Sequence, residues 1–344
     1  MASNRMAKLK ARRTDPTVIK AATIREAFDS IAEEEPIKYA VGTMQPIDPA
    51  YAKTTFEEGD RVKNQLDKAL NIGISKVASF EYQGSATNGT HIKVHSDLDL
   101  LAIHEYFYTI QPPGKPSVPY TGDVLADLRD LRLSCARALK SAFPAVTVDD
   151  APGKCIAMQG GSLRRKMDIV ISNWWHSVDY QNNRIPIYMG IQIYDSKANE
   201  RVENNPFLHN YRIDERDRKL NGNVRKVARL LKSLKYDADS PVNISSYDIT
   251  SIAWSMPDDF MQAANGQELK LVENARSFLK WLIENDINRE SYYVPNCMRK
   301  IFGANGASVN GLRALYKEIQ DLVDEINRGF ARTMRKLSET RVAY

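Results

Sequence analysis

The sequence predicts an α/β core followed by a helical domain. Short β-branched and apolar runs bounded by Gly, Pro and Asp recur in the first part of the chain, which is typical of strands. From Pro206 onward, apolar residues recur at helical spacing instead. The 344 residues, 43% of them hydrophobic, suffice for two domains. We therefore expect an α/β core with an N-terminal helix over residues 1–203, and a helical domain over residues 204–344.

The helices are predicted from apolar periodicity and from turn signals. Regularly spaced Ile and Ala predict a helix over residues 17–34, and a second helix follows over about 56–70. A loop rich in Pro and Gly, QPPGKPSVPYTGD, leads into a third helix that ends near Phe143. In the helical domain, the longest patterns predict helices over residues 269–287 and 312–337.

The strands of the core are predicted from alternating or β-branched runs. They cover residues 76–82, 96–104, 145–148, 154–159, 167–172 and 185–194. The triplet Gly160-Gly161-Ser162 lies between the fourth and fifth of these runs and predicts a hairpin there.

The most informative segment is GSATNGTHIKVHSDLD, residues 84–99. If its end is a strand, alternate side chains share a face, so Asp97 and Asp99 project together. Two carboxylates that close repel each other unless a cation lies between them, and hard oxygen ligands suit Mg²⁺. The pair can also be an ordinary solvated strand edge. The apolar residues 100–103 predict a buried strand, which favours the functional interpretation.

A phosphate cradle and a third carboxylate complete the predicted site. The turn at Gly84 and Ser85 offers backbone N–H groups and a hydroxyl to a triphosphate, although such a pair is also a common plain turn. Asp168 opens another β-branched run, KMDIVIS. If that strand lies beside the first, three carboxylates meet as two-metal nucleotide transfer requires. Asp168 could instead pair with Arg164, Arg165 or Lys166.

The pattern G-S-x-x-x-G-T-x-x-x-x-S-D-x-D, with a later isolated Asp on a strand, resembles the DNA polymerase β-like nucleotidyltransferases. Further segments, NNPFLHNYRI, NGNVRKVARLLKSLKYD and ISSYDIT, are similar to one branch of that superfamily. This branch comprises the CD-NTases, bacterial relatives of the animal DNA sensor cGAS and of oligoadenylate synthase. The resemblance covers about residues 80–250.

The resemblance implies a fold, an activity and a biological role. The fold is a mixed sheet with flanking helices, plus a C-terminal helical domain that completes a nucleotide cleft. The activity is template-independent joining of nucleoside triphosphates, ATP and GTP among them, into a cyclic di- or trinucleotide second messenger. This product would switch on an effector protein in bacterial anti-phage (CBASS) signalling.

The resemblance also assigns roles to individual residues. Asp97 and Asp99 hold two Mg²⁺ ions, which Mn²⁺ can replace, and Asp168 holds the ion at the acceptor hydroxyl. The triphosphate is positioned by residues of the glycine turn and of the later segments, namely Gly84, Ser85, Lys232 and Ser246. Tyr247 stacks on the donor base.

The residues around Lys232 and Tyr247 permit a second interpretation. Arg225, Arg229 and Lys232 form a basic stripe on a predicted helix, and such a stripe is also typical of a solvated helix face. The ring of Tyr247 can stack on a purine or belong to the core. The need for cations near a triphosphate favours Lys232 as an anchor.

Composition limits the partners. The net charge of +5 is mild, and the basic residues cluster at both ends, where they predict solvated termini or, alternatively, a contact with RNA or DNA. The sequence shows no secretory signal and no apolar stretch of membrane-spanning length, so we expect a cytoplasmic protein with no membrane partner. The three cysteines show no C-x-x-C spacing. We therefore expect no zinc insertion of the kind animal cGAS uses for DNA, and no direct activation by DNA or RNA.

Two rival functions remain at this stage. The first keeps the chemistry and changes the acceptor, giving a linear oligonucleotide or a nucleotidylated tRNA or protein. The second is an inactive nucleotide-binding scaffold. The presence of all three aspartates disfavours the second.

Overall fold

The computed structural model describes residues 5–13, 34–73, 76–93 and 96–342, with side chains for all of these except Ala52 and residues 333–342. The predicted helix over residues 17–34 lies outside the described residues, save for its last position. The helices, labelled in chain order, are α1 (Arg5–Arg13), α2 (Glu35–Met44), α3 (Pro49–Leu70), α4 (Val124–Ala142), α5 (Val178–Asn183), α6 (Pro206–Lys219), α7 (Asn223–Asp237), α8 (Ser246–Ser255), α9 (Asp258–Met261), α10 (Glu268–Glu284), α11 (Asp286–Arg289) and α12 (Val309–Val342). The strands are β1 (Ala78–Gln83), β2 (Leu98–Ile110), β3 (Thr147–Asp149), β4 (Ile156–Gln159), β5 (Met167–His176), β6 (Met189–Asp195) and β7 (Glu200–Asn204).

The chain divides by its contacts into two compact units. The sheet unit comprises Asp48–Gly89 and His95–Arg212, and the helical unit comprises Met1–Ile47, Thr90–Val94 and Ile213–Tyr344. This division differs from the predicted boundary, because the N-terminal helices join the helical unit. Met6 and Leu9 of α1 and Tyr39 of α2 lie in the same hydrophobic core as Leu231 of α7 and Leu315 of α12.

The sheet unit is built on a mixed sheet, as predicted. In the described residues, seven strands form one sheet in the order β1-β2-β5-β4-β3, and β6 and β7 extend it from β5. β2 and β5 are parallel, and the other neighbours are antiparallel. The predicted hairpin at Gly160 joins β4 to β5.

Strand alternation gives the sheet two different apolar faces. Leu98 and Leu100 of β2 and Ile169 of β5 belong to the core that contains residues of α3 and α4. The intervening residues Leu101 of β2 and Val170 of β5 belong to a second, smaller cluster. Asp99 and Asp168 have the same parity as this second set, so both carboxylates lie on the face of the smaller cluster.

Helix α3 and strand β7 are among the elements that differ from the sequence-based expectation. Helix α3 begins at Pro49 rather than near residue 56, because the Asp48 side chain accepts a hydrogen bond from the N–H of Ala50 (2.8 Å) and Pro49 fits the first helical turn. Strand β7 was not predicted, since its sequence ERVEN lacks an apolar alternation. It pairs with one neighbour, β6, in the described sheet.

Arg5, Arg12 and Arg13 near the N-terminus are buried, so the expectation of a solvated terminus is wrong for them, whereas Arg328 and Arg332 near the other end are exposed as predicted. Arg5 forms ion pairs with Glu318 (3.0 Å) and Glu325 (3.3 Å), and its side chain is 7% exposed. The guanidinium of Arg12 pairs with the fully buried Asp237 at 2.5 Å. These acids lie far along the sequence, and the ion pairs hold α1 within the helical unit.

No helix among the described residues combines the length and the apolar character needed to cross a bilayer.

Candidate active site

Asp99 and Asp168 lie directly opposite each other on the parallel strands β2 and β5. The predicted pairing of the two strands is therefore confirmed, and it brings two carboxylates together on one face of the sheet. Asp97 lies just before β2 and is exposed, while Asp99 and Asp168 are partly buried. The sheet unit thus gathers the three predicted aspartates.

The three negative charges perturb one another. The pKa of Asp99 is raised to about 7, first by burial and then by the neighbouring charges of Asp168 and Asp97, whereas the charge of Lys166 opposes the rise. Burial and the charge of Asp168 also raise the pKa of the Cys155 thiol to about 11. The site therefore holds more negative charge than its protein cations neutralise.

The alternative partner of Asp168 is also present. The ammonium of Lys166 lies 2.9 Å from Asp168 Oδ2. Within the described residues, the second oxygen, Oδ1, is buried and accepts no hydrogen bond from a nitrogen or oxygen donor. Asp168 thus takes part in the aspartate cluster and in the ion pair at once.

This donor set fits a hard divalent cation. Carboxylate oxygens are the ligands that Mg²⁺ prefers, and an unpaired buried oxygen on Asp168 is costly unless a cation or donor meets it. Among the described residues, however, no three His, Cys, Asp or Glu side chains already converge as a formed metal site. Lys166 is a protein cation in direct contact with one of the three aspartates.

The glycine turn lies against Asp99. Gln83, the last residue of β1, is paired with Asp99, and Gly84 follows it with a positive φ of 86°. A Cβ at Gly84 would collide with the Asp99 carboxylate. Glycine is therefore required at this position both for its backbone conformation and for the space that Asp99 occupies.

A chain of hydrogen bonds holds the turn in place. Thr87 Oγ1 donates to the carbonyl of Gly84 (2.7 Å), and Asn210 Nδ2 on α6 donates to Thr87 Oγ1 (3.0 Å). Asn88 Nδ2 in turn donates to Asn210 Oδ1 (3.3 Å). Asn210 thus anchors the turn that carries Ser85, which is partly exposed.

Lys232 lies in the helical unit and is buried. Its ammonium donates to the carbonyl of Thr90 (2.8 Å) and to Thr90 Oγ1 (3.2 Å). Burial lowers the pKa of Lys232 to about 7, and the charges of Arg229 and Lys235 lower it as well. Lys232 therefore holds the chain at Thr90, and its contact with a triphosphate stays a prediction.

Ser246 and Tyr247 open helix α8 of the helical unit. Ser245 caps this helix by accepting a hydrogen bond from the N–H of Asp248, which leaves Ser246 exposed in the first turn. The ring of Tyr247 packs against the core and against the guanidinium of Arg299, whose carbon lies 5.2 Å from the ring centre. The contact with the core agrees with one of the two predicted roles of Tyr247, and stacking on a donor base stays a prediction.

The sequence-based reasoning missed the residues that hold the aspartate strands. Glu58 on α3 pairs with Arg165 (2.9 Å) and accepts a hydrogen bond from the N–H of Arg164 (2.8 Å). Gly59 lies so close to β2 that a Cβ there would reach the side chain of Leu98. A glycine inside a helix pattern was the available signal for this close approach.

The comparisons with known proteins agree with this geometry. Residues 211–324 match the C-terminal helical domain of cGAS/DncV-like nucleotidyltransferases. A cyclic dinucleotide synthase, CdnE, from Yersinia aleksiciae is 35% identical over 299 residues, which cover 85% of this chain and 77% of that protein. The chain is a cGAS/DncV-like nucleotidyltransferase. The family that the motifs predicted is therefore confirmed.

Two further relatives extend this CD-NTase assignment. A c-di-GMP synthase from Lachnospiraceae bacterium (strain RUG226) is 28% identical over 279 residues, or 74% of this chain and 79% of that one. The structure of a STING-associated CdnE c-di-GMP synthase from Capnocytophaga granulosa superposes with a TM-score of 0.78 at 26% identity. The match covers 95% of this CD-NTase and 98% of that chain. The nucleotidyltransferase fold therefore extends over nearly the whole sequence.

Proposed function

We propose that this CD-NTase is a cyclic dinucleotide synthase. It joins two nucleoside triphosphates with release of one pyrophosphate, and then closes the ring with release of a second. The observation that carries the proposal is the opposed pair Asp99 and Asp168 on β2 and β5, in a chain 35% identical to a CdnE cyclic dinucleotide synthase. A ring of two nucleotides is favoured over three because the relatives described above are dinucleotide synthases.

The proposed cofactor is Mg²⁺, as two ions, with Mn²⁺ as a substitute. Asp97 and Asp99 would hold both ions and Asp168 the one nearer the acceptor hydroxyl. When bound, such ions favour the deprotonated hydroxyl and neutralise the departing pyrophosphate. The support is the raised pKa of Asp99, caused by burial and then by the charges of Asp168 and Asp97, together with the buried oxygen Oδ1 of Asp168.

Nucleotide binding is proposed for residues of both units. Gly84 and Ser85 would meet the triphosphate through N–H groups and a hydroxyl, and the first turn of α8 at Ser246 offers the same chemistry. Tyr247 would stack on the donor base. Lys232 is retained as a triphosphate contact, which requires its ammonium to leave the carbonyl of Thr90.

The proposed biological setting is a cytoplasmic signalling pathway. The Capnocytophaga granulosa neighbour is described as STING-associated. By analogy, the cyclic product of this chain would activate a separate effector protein during anti-phage defence. Direct activation by DNA or RNA is not part of the proposal.

The test is incubation of the protein with all four labelled nucleoside triphosphates and Mg²⁺, followed by phosphatase treatment and mass spectrometry. We expect a phosphatase-resistant product whose mass equals two nucleoside monophosphates minus two waters. Asp168→Asn should abolish it, whereas Asp150→Asn, which alters an exposed carboxylate paired with Lys140, should not. Ladders of linear products, label on tRNA or protein, or no product at all would each reject the cyclase.

A further inference from the structure

Lys166 is placed to act on the aspartate cluster as well as to be paired with it. Its ammonium contacts Asp168 Oδ2 at 2.9 Å, and its side chain is 38% exposed while that of Asp168 is 17% exposed. Its charge also acts on Asp99, where it opposes the rise of the pKa, and it interacts with Asp97. One cation thus pairs with Asp168 and acts through its charge on the other two carboxylates.

The backbone that carries Lys166 is held firmly from two sides. The carbonyl of Lys166 accepts a hydrogen bond from the N–H of Leu98 (3.1 Å), in the parallel pairing of β2 and β5. Glu58 holds the two preceding residues through the N–H of Arg164 and the buried side chain of Arg165. The base of the side chain is therefore fixed, while its partly exposed four-carbon stem allows the ammonium to turn toward water.

We propose that Lys166 is a positioning residue that neutralises Asp168 in the metal-free protein and competes with a divalent cation for the negative charge of this carboxylate. This inference rests on the proposed metal-binding role of the aspartates. The lysine and the metal are attracted by the same carboxylate and repel each other, so binding of the metal is coupled to release of the ammonium. Lys166 accordingly lowers the affinity of the cluster for metal and keeps the strands' carboxylates together until metal arrives.

The physical reason is charge balance. Three carboxylates with one ammonium carry less net negative charge than three carboxylates alone, and a cation gains less by binding to them. The metal must also replace an existing charge-assisted hydrogen bond. Removing the ammonium therefore strengthens metal binding. A guanidinium in its place, whose rigid fork binds a carboxylate more firmly, weakens it.

The test measures binding of Mn²⁺ to the nucleotide-free protein by electron paramagnetic resonance, without any turnover. Lys166→Met keeps the length of the stem and should tighten the dissociation constant roughly tenfold, the effect of about 1.4 kcal/mol. Lys166→Arg should weaken it. Lys154→Met is the matched control, because it removes an equal charge at an exposed lysine of the same unit, which pairs with Asp195 (3.9 Å), and should leave the constant unchanged.

A second readout is the rise in melting temperature that Mn²⁺ produces. This rise should be larger in Lys166→Met than in wild type. Without metal, the variant lacks the ammonium that balances the carboxylates, whereas with Mn²⁺ bound the metal supplies that positive charge. Equal Mn²⁺ affinity in wild type, Lys166→Met and Lys166→Arg would overturn the inference and leave the proposed function standing. Absence of Mn²⁺ binding in wild type and in both variants would overturn the metal site itself, and the inference with it.

Discussion

Asp99 and Asp168 occupy matched register positions on neighbouring parallel strands and face the same side of the sheet. Their charges repel, and burial adds to the cost of ionising Asp99. This repulsion can be relieved by a proton on Asp99, by the ammonium of Lys166 or by a divalent cation. The first prediction follows from their competition.

Metal binding should weaken below pH 7. The pKa of Asp99 is raised to about 7, so the metal-free protein holds a proton there at lower pH that the metal must displace. We expect the dissociation constant for Mn²⁺ to rise roughly tenfold from pH 8 to pH 6, with a roughly fivefold rise between pH 7 and pH 6, and to level off above about pH 8. Titrations at pH 6, 7 and 8 measure this.

The raised pKa of Asp99 can also be tested without metal, through the pH dependence of the free energy of unfolding. Between the usual carboxyl pKa of 3.8 and about 7, the folded state keeps a proton that the unfolded state has lost, so stability falls as pH rises through that window. Asp99→Asn lacks this proton equilibrium. It should therefore be more stable than wild type at pH 8 without metal and nearly equal to it at pH 4. A constant difference across this range would contradict the prediction.

Gly84→Ala should impair metal binding and activity beyond its cost in stability. The positive φ of 86° alone costs about 1–2 kcal/mol for a residue with a Cβ, and the new methyl group also displaces the Asp99 carboxylate. Gly160→Ala separates the two effects, because Gly160 has a φ of 74° and open space around its Cβ position. Both variants should lose similar stability in urea unfolding, and only Gly84→Ala should lose Mn²⁺ affinity. Equal Mn²⁺ affinity in the two would show that the contact with Asp99 is unimportant.

Asn210→Ala should loosen the glycine turn without disturbing the aspartates. The change removes the hydrogen bonds to Thr87 and Asn88, each of which contributes about 1 kcal/mol. We expect the KM for the donor triphosphate to rise roughly tenfold while Mn²⁺ affinity stays constant. Asn182→Ala, at an exposed position of the same unit, serves as control. An unchanged KM would mean that Ser85 does not need a fixed turn.

Much of the aspartate site could be predicted because its signals are local. The apolar run after Asp99 and the β-branched run after Asp168 identify two buried strands, each with a carboxylate near its start. Their parallel pairing depends on contacts distant in sequence, and the residues alone left it open. The ion pair of Lys166 with Asp168 was one stated alternative, and the structure shows that the pair and the cluster coexist.

The buried N-terminal helix could not be predicted from composition. The sequence around Arg12 and Arg5 predicts solvated side chains, because no acidic partner is nearby in the sequence. The partners, Asp237 and Glu318, lie more than two hundred positions away. A basic helix with distant acidic partners has the same local pattern as a free basic tail. Strand β7 was missed for a related reason, since its pairing with β6 and not its composition makes it a strand.

Tyr247→Ala should weaken use of the donor nucleotide far more than Tyr247→Phe. Stacking of a ring on a base is worth about 1–3 kcal/mol, whereas the hydroxyl makes a long hydrogen bond of 3.4 Å to Asn296. We expect the KM of the alanine variant to rise by roughly 5- to 150-fold. The melting temperature must be measured alongside, because the ring also packs against the helical core. Equal KM values for the two variants would reject stacking.

Lys232 should make the stability of the protein depend on pH above neutrality. Burial lowers the pKa of Lys232 from 10.5 to about 7, so between these values the unfolded state holds a proton that the folded state has lost. The contribution of Lys232 to the free energy of unfolding therefore rises with pH through that window, by up to about 1.4 kcal/mol per pH unit. Below the window this contribution does not change with pH.

The measurement compares the free energy of unfolding of wild type and Lys232→Met at pH 6, 7 and 9. Wild type should gain stability relative to the variant between pH 7 and pH 9 and change little between pH 6 and pH 7. Lys270→Met, at an exposed lysine of the same unit, should parallel wild type throughout. If wild type and Lys232→Met also run parallel, the ammonium stays charged beside Thr90 at every pH tested. A charged Lys232 would then need only to turn from the Thr90 carbonyl to meet a triphosphate, with no proton to gain.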